Sequence, residues 1–275
     1  MSALYTSTVI TPRRRSRAWT KLGQNTAFAL GLPLLLLVIW GLWSTVASAR
    51  FFPGPLVILD AFISTWIGPA FFVDVLPSLG RLAIGTVLAV AIGIAAGTVI
   101  GLVPWLRELL EPVFEFFRAV PPPVLIPIVA VLVGANDLMK VVVIVTGAMW
   151  PVLLNTIEGV RSTDSVMTET ARSFALTRGE RLRYLVLPAA SPRIMAGVRQ
   201  CLSIALILMV ISEMFFSSSG LGFQIVYFQR NYLIAEMWGG IVLLGLIGVL
   251  LAVIFGFAER RVLRWYHGIK EVEHA

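Results

Sequence analysis

The side chains that carry most covalent chemistry are nearly missing from the interior of this sequence. Its two histidines, His267 and His274, stand close to the C-terminal end, so a histidine-based metal site is not expected. The single cysteine, Cys201, lies inside an apolar run and has no partner for a disulfide within the chain. No nucleophile has a base beside it, and no G-x-x-x-x-G-K-[ST] phosphate loop is present, which excludes ATP binding by that route. Three features remain. Arg118 and Glu213 are ionisable residues at or near apolar depth. Pro121, Pro122 and Pro123 form an unbroken run. A polar segment, "ETARSFALTRGERLRYLVLPAASP" from Glu169, interrupts an otherwise oily chain. The chemistry open to such residues is gating, pairing and docking.

The elements that position them must live in lipid. The chain has 275 residues, 58% of them hydrophobic and 13% charged, about half the charged share of a soluble domain. That is too little polar surface to cover a water-facing globule. Apolar stretches long enough to cross a bilayer fall at residues 26–47, 79–103, 113–133, 140–157, 194–217 and 237–257. The predicted class is an all-α integral membrane protein of six transmembrane helices. The net charge of +7 does not point to nucleic acid, because the arginines sit in short blocks between apolar runs. Of the Lys and Arg residues, only Arg50, Arg81, Lys140 and Arg230 fall in the outer segments, and Arg118 falls within the third span. The remainder puts both termini on the cytoplasmic side. The basic first residues read as a retained cytoplasmic tail, since no small-residue cleavage site follows them. The organisation expected is a tail over 1–25, a six-span domain over 26–259 with a cytoplasmic loop over 158–192, and a second tail over 260–275.

Within the second span, Gly85, Ala89, Gly93, Gly97 and Gly101 recur every fourth residue. Small residues at that spacing let two helix backbones approach closely, either inside one chain or at a dimer or moving interface. Gly240, Gly245 and Gly248 repeat the theme in the sixth span. Pro121, Pro122 and Pro123, with Pro127 a turn later, must break the third span. Such a break either lines a pathway or is a bend required by packing. Arg118 and Glu213 are expected to serve a structural or gating role, with Glu213 reaching the outer interface and Arg118 snorkelling inward.

The polar segment divides in two. Ser162, Thr163 and Asp164 offer an N-cap, after which Val166, Met167, Thr170, Ala171, Phe174 and Ala175 form one stripe of a short amphipathic helix. A turn near 177–179 and a basic piece ending at Pro188 follow. The stripe either lies on anionic headgroups or enters a groove on a cytoplasmic partner.

These residues resemble the EAA loop of the membrane subunits of bacterial ATP-binding cassette importers. That pattern is Glu-Ala-Ala, then Gly four residues after the second Ala, and later Ile-x-Leu-Pro. Glu169, Ala171, Leu187 and Pro188 match it, while Thr170, Ala175 and Leu185 replace its first Ala, its Gly and its Ile. "FFPGPLVILDAF", "AVPPPVLIPIVAVLVGANDLMKVVVI" and "SEMFFSSSGLGFQI" extend the likeness to the sulfonate, taurine and nitrate branch of these permeases. The resemblance implies a type I importer fold with a cytoplasmic coupling helix in the bacterial inner membrane. It implies pairing of two copies and docking on two ATPase subunits that bind ATP and Mg. It also implies delivery of a small anion by an external binding protein near residues 51–74 and 220–230. Glu169, Thr170, Ala171, Phe174, Ala175, Leu187 and Pro188 would couple to the ATPase. Arg118, Pro121, Pro122, Pro123 and Glu213 would line or gate the pathway. No cofactor is expected in this chain, and no nucleic acid. The competing readings are a self-sufficient secondary carrier, which needs ionisable groups near the bilayer midplane, and a membrane enzyme, which lacks residues here.

Overall fold

The computed structural model describes residues 31–45, 51–68 and 70–266, with no strand among them. The expected tail 1–25, His267 and His274 lie outside the described residues. The chain divides into two compact units, Met1–Val57 and Ile58–Ala275. In the first, α1 (Gly31–Thr45) is apolar but only 15 residues long within the described part; the rest of the span expected at 26–47 lies outside it. Trp40 and Trp43 pack on Phe52 with ring centroids 5.1 and 6.0 Å apart.

Among its described residues the second unit is built of helices and short connections. After α2 (Pro55–Ala61) come α3 (Leu76–Leu102), α4 (Pro104–Ala119), α5 (Leu125–Val133) and α6 (Asp137–Arg161). Then follow α7 (Ser165–Ser173), α8 (Arg178–Arg181), α9 (Leu187–Phe215), α10 (Leu221–Arg230) and α11 (Ile234–Val262). Four helical stretches, Phe71–Leu102, Asp137–Arg161, Arg178–Phe215 and Ile234–Val262, are long and apolar enough to cross a membrane. α11 carries helix past residue 259, where a tail was expected.

The core is the stack of α3, α6 and α9, and glycine makes it close. A Cβ at Gly85 would stand 2.6 Å from Ile144, one at Gly93 2.8 Å from Val152, and one at Gly97 2.7 Å from the Leu153 carbonyl. The stripe therefore packs α3 on α6 inside the chain, one of the two readings open from sequence. α9 crosses α6 in the same way, with Gly197 against the Pro151 carbonyl and Gly159 against Ala190. Ala89, Ile144, Ala148, Cys201 and Leu208 fill the seam. In α11 the pattern is less uniform, because Gly240 is pressed on Trp66 and Ile225 while Gly245 meets open space.

The prolines behave in two ways. The stretch 113–133 is broken at Pro121–Pro123, as expected. α4 starts at Pro104, and the chain bends by 80° between Pro104–Phe117 and Pro122–Val133. Pro121, Pro122 and Pro123 supply no N–H, so helix cannot propagate through them; a single 3-10 turn, Pro122–Val124, bridges the break. Leu106, Leu110 and Phe114 of α4 pack on Ile100, Leu153 and Ile157.

Pro188, by contrast, ends nothing. α8 starts from a capping box in which Thr177 and Glu180 satisfy one another. A wide π-type turn, Leu182–Val186, then leads directly into α9, with the Leu187 N–H bonded to the Leu182 carbonyl five residues back. Widening by one residue there takes the helix past the donor that Pro188 lacks. The turn Phe71–Val75 does the same ahead of Pro77, with Leu76 bonded to Phe71. Much of the expected loop 158–192 is consequently helix.

Gly97→Ala should lower thermal stability in detergent by about 1–3 kcal/mol, the usual cost of overpacking, because its Cβ would meet backbone at 2.7 Å. Gly245→Ala, with nothing within 4 Å, is the matched control and should melt like the parent.

Candidate functional site

Two regions at opposite ends of the bundle, and a cavity between them, gather the residues of interest. At one end α7 begins with Asp164 accepting the Val166 N–H at 2.8 Å, the cap expected from sequence. It ends in a paired C-terminal motif, with the Ala175 N–H on the Arg172 carbonyl at 2.9 Å and the Leu176 N–H on the Ala171 carbonyl at 3.1 Å. That geometry requires a left-handed residue, and Ala175 has φ of 53°. Glycine usually fills the position, as it does in the EAA pattern; alanine takes the same shape at a cost of about 1–2 kcal/mol.

The expected stripe splits across α7. Ala171 is buried within its own chain, whereas Val166, Met167 and Phe174 are exposed, Phe174 by 78%. Glu169 and Thr170 are exposed beside them, and Ala175 follows. Leu187 and Pro188 lie half-buried in the first turn of α9. The face available to a partner is therefore Val166, Met167 and Phe174, and Ala171 holds α7 to the bundle.

At the other end lies a buried ionic cluster. Glu213 does not reach an interface; it is fully buried. Its carboxylate accepts from Arg81 Nη1 at 2.6 Å, from Ser78 Oγ at 2.7 Å and from the Gly222 N–H at 3.0 Å. Arg81, expected in an outer segment as a topology signal, is itself buried and bridges to Asp137 Oδ1 at 2.8 Å. Lys140 reaches the same carboxylate at 3.2 Å. Asp74, also buried, accepts the Gly220 N–H at 2.8 Å and Gln224 Nε2 at 2.9 Å. Gly220 has φ of 116°, and a Cβ there would stand 2.6 Å from the Glu213 carboxylate, so only glycine fits. The cluster ties the starts of α3, α6 and α10 to the end of α9.

Sequence reading missed Asp74, Ser78 and Arg81. Their signal was available: polar residues at i, i+4 and i+7 share one helix face in an apolar stretch.

Beside the prolines is a cavity of about 390 Å³, lined by Pro122, Gly147, Trp150, Asn155, Gln200 and Ile204 among others. Phe117 stacks on Trp150 at 5.3 Å and 13°. Asn155 Nδ2 donates to the Pro151 carbonyl at 2.8 Å, which leaves its amide oxygen for the cavity. Pro121 and Pro123 flank Pro122 at the bend. Arg118 lies in α4 just before the prolines; its side chain lies outside the described part of the structure. The proline break and Glu213 are thus at separate places, not one site.

Comparison with known proteins bears on what these places do. Residues 89–267 match the family model of the binding-protein-dependent transport system inner membrane component. The chain is 28% identical over 256 residues to the putative aliphatic sulfonates transport permease protein SsuC of Bacillus subtilis, covering 92% of this chain and 90% of that one. It is 28% identical over 262 residues to the taurine transport system permease protein TauC of Escherichia coli, covering 92% and 94%. It is 31% identical over 241 residues to the bicarbonate transport system permease protein CmpB of Synechococcus elongatus, covering 83% and 86%.

Arg81→Met should destabilise the chain by about 3–5 kcal/mol, because it leaves Glu213 buried without its partner. Glu213→Gln should also cost stability. The double variant should lose at least about 1 kcal/mol less than the sum in a thermal or denaturant cycle on the purified chain. Strict additivity would show that the two groups do not act as a pair.

Proposed function

This chain belongs to the family of binding-protein-dependent transport inner membrane components, and from that premise we propose that it passes a small oxyanion through the membrane while a separate ATPase supplies the energy. It is a multi-pass transport permease subunit and not an enzyme. The self-powered carrier considered from sequence gives way to this reading. ATP and Mg belong to partner ATPase subunits, and an external binding protein delivers the cargo. A second copy of the chain completes the pathway, and both termini face the cytoplasm with α7.

The substrate class follows from what the relatives are named for: sulfonates, taurine and bicarbonate are all small molecules bearing an oxyanion. The cavity beside the proline break suits transient passage of such a cargo. Its walls are mostly apolar, and Gln200 offers a neutral amide. Neutral donors can hold an anion without the tight grip of a buried cation, and weak holding favours release. In this reading Pro121, Pro122 and Pro123 shape the pathway wall and Arg118 stands at its edge. Glu213 works at a distance, by keeping the outer end of the bundle rigid.

The observation that carries the coupling proposal is the exposed apolar face of α7. Val166, Met167 and Phe174 stand in the open on a helix capped at both ends, which is how a helix enters a partner's groove. ATP-driven closure of two ATPases would carry the docked helices with it and rock the spans. Glu169 and Thr170 border that face, while Ala171, Ala175, Leu187 and Pro188 set its position.

Phe174→Asp should leave expression and membrane insertion unchanged while abolishing uptake and substrate-stimulated ATP hydrolysis. Hydrolysis and uptake at parental levels would overturn the docking assignment.

A further inference from the structure

A second cleft opens at the α7 end of the bundle and plays no part in the docking face. It has a volume of about 430 Å³ and is lined by Arg172, Arg178 and Arg181 together with Leu102, Val103, Leu182 and Val186. Arg178 and Arg181 are one turn apart on α8, so their guanidinium groups repel one another. Arg172 joins them from the last turn of α7. Among the described residues none of the three has an ion-pair partner, although Arg161 and Arg193 close by both reach Glu158. The Nε of Arg181 is buried and has no hydrogen-bond partner. Three cations that line one cleft, one with a buried donor that makes no hydrogen bond, form a candidate anion site.

The apolar half of the lining says what kind of anion. Leu102 and Val103 are at the end of the α3 span, and Leu182 and Val186 are in the wide turn that opens the α9 span. The cleft is therefore cationic toward the aqueous side and apolar toward the membrane-spanning helices. An inorganic anion or an acidic side chain would use only the first half. We propose that this cleft binds the phosphate of an anionic phospholipid, its headgroup between Arg172, Arg178 and Arg181 and the top of its acyl chains along Leu102, Val103, Leu182 and Val186. Guanidinium groups suit this role, since their donors match phosphate oxygens in pairs. Because Arg172 belongs to α7 and Arg178 opens the rod that continues into α9, the lipid bridges the docking helix to the span it moves. Removing it would leave α7 less firmly set. The proposal rests on the reading that the α7 end faces the cytoplasmic leaflet, where anionic headgroups attract basic groups.

The test is lipid retention by the full purified chain, which does not require transport to work. The chain is reconstituted in vesicles of phosphatidylcholine containing about 20 mol% phosphatidylglycerol, extracted gently, and weighed intact by native mass spectrometry. The parent should retain phosphatidylglycerol over phosphatidylcholine, and the double variant R178Q/R181Q should lose that preference by about tenfold. The pair R178K/R181K should restore it in part, and Arg230→Gln, at the far end, should leave it unchanged. Equal retention of the two lipids by the parent would overturn the proposal. So would displacement of the lipid by inorganic phosphate at low millimolar concentration, which would make the site one for free phosphate. Loss of the lipid whenever the ATPase is bound would assign the arginines to the protein partner instead. Retention with failed ATPase docking would leave this site standing and the coupling reading refuted, so the two can fail separately.

Discussion

A carboxylate withdrawn fully from water costs several kcal/mol unless charge and hydrogen bonds replace its hydration, and Glu213 is withdrawn fully. Much of this end of the molecule is organised around that demand. Arg81 is drawn inward from the start of α3, Ser78 turns its hydroxyl toward the same oxygens, and the Gly222 amide of α10 points at them. Gly220 is glycine because the carboxylate occupies the space where a Cβ would be. Asp137 then binds the start of α6 to Arg81, and Lys140 pairs with the same Asp137 carboxylate. The outcome is a corner where three spans and the α10 entry cannot shift independently.

That corner is joined to the α7 end by α3, α6 and α9, and the last belongs to the longest rod. Helix runs without interruption from Arg178 to Phe215, 38 residues, or roughly 57 Å at the usual rise. Its first turns border α7 and its last turn holds Glu213. A push on α7 is thus delivered to a rod whose far end is pinned, while its middle crosses α6 beside the cavity. The prolines matter for the same reason in opposite ways. Pro188 sits in the rod without breaking it, because the wide turn absorbs its missing donor. Pro121, Pro122 and Pro123 break their helix outright, and the bend makes room for the cavity wall at Pro122 and Gly147.

Much of this was legible in the residues. The apolar runs and the break at the prolines follow from composition and from donors that proline lacks. The Asp164 cap and the small-residue stripe of α3 follow from spacing. The remainder was hidden for identifiable reasons. An arginine near the end of an apolar run reads as a topology signal, and only a partner 132 positions away in sequence, Glu213, makes Arg81 a core residue. A proline after a polar loop reads as a stop, and only backbone geometry reveals the wide turn that carries helix past Pro188. The amphipathic stripe of α7 gave the correct helix but could not say that Ala171 turns inward while Phe174 turns out. Cavity residues such as Trp150, Asn155 and Gln200 come from helices α6 and α9, so no local pattern unites them.

The central claim is that α7 is gripped by an ATPase through Phe174. Cys201 is fully buried, so Phe174→Cys introduces one reactive thiol on the docking face. Its rate of modification by a water-soluble maleimide should fall by about tenfold or more when the ATPase subunits are bound, as expected for a side chain enclosed at the centre of an interface. A Ser219→Cys thiol at the other end should react at the same rate in both states. Equal rates at position 174 with and without the ATPase would contradict the account.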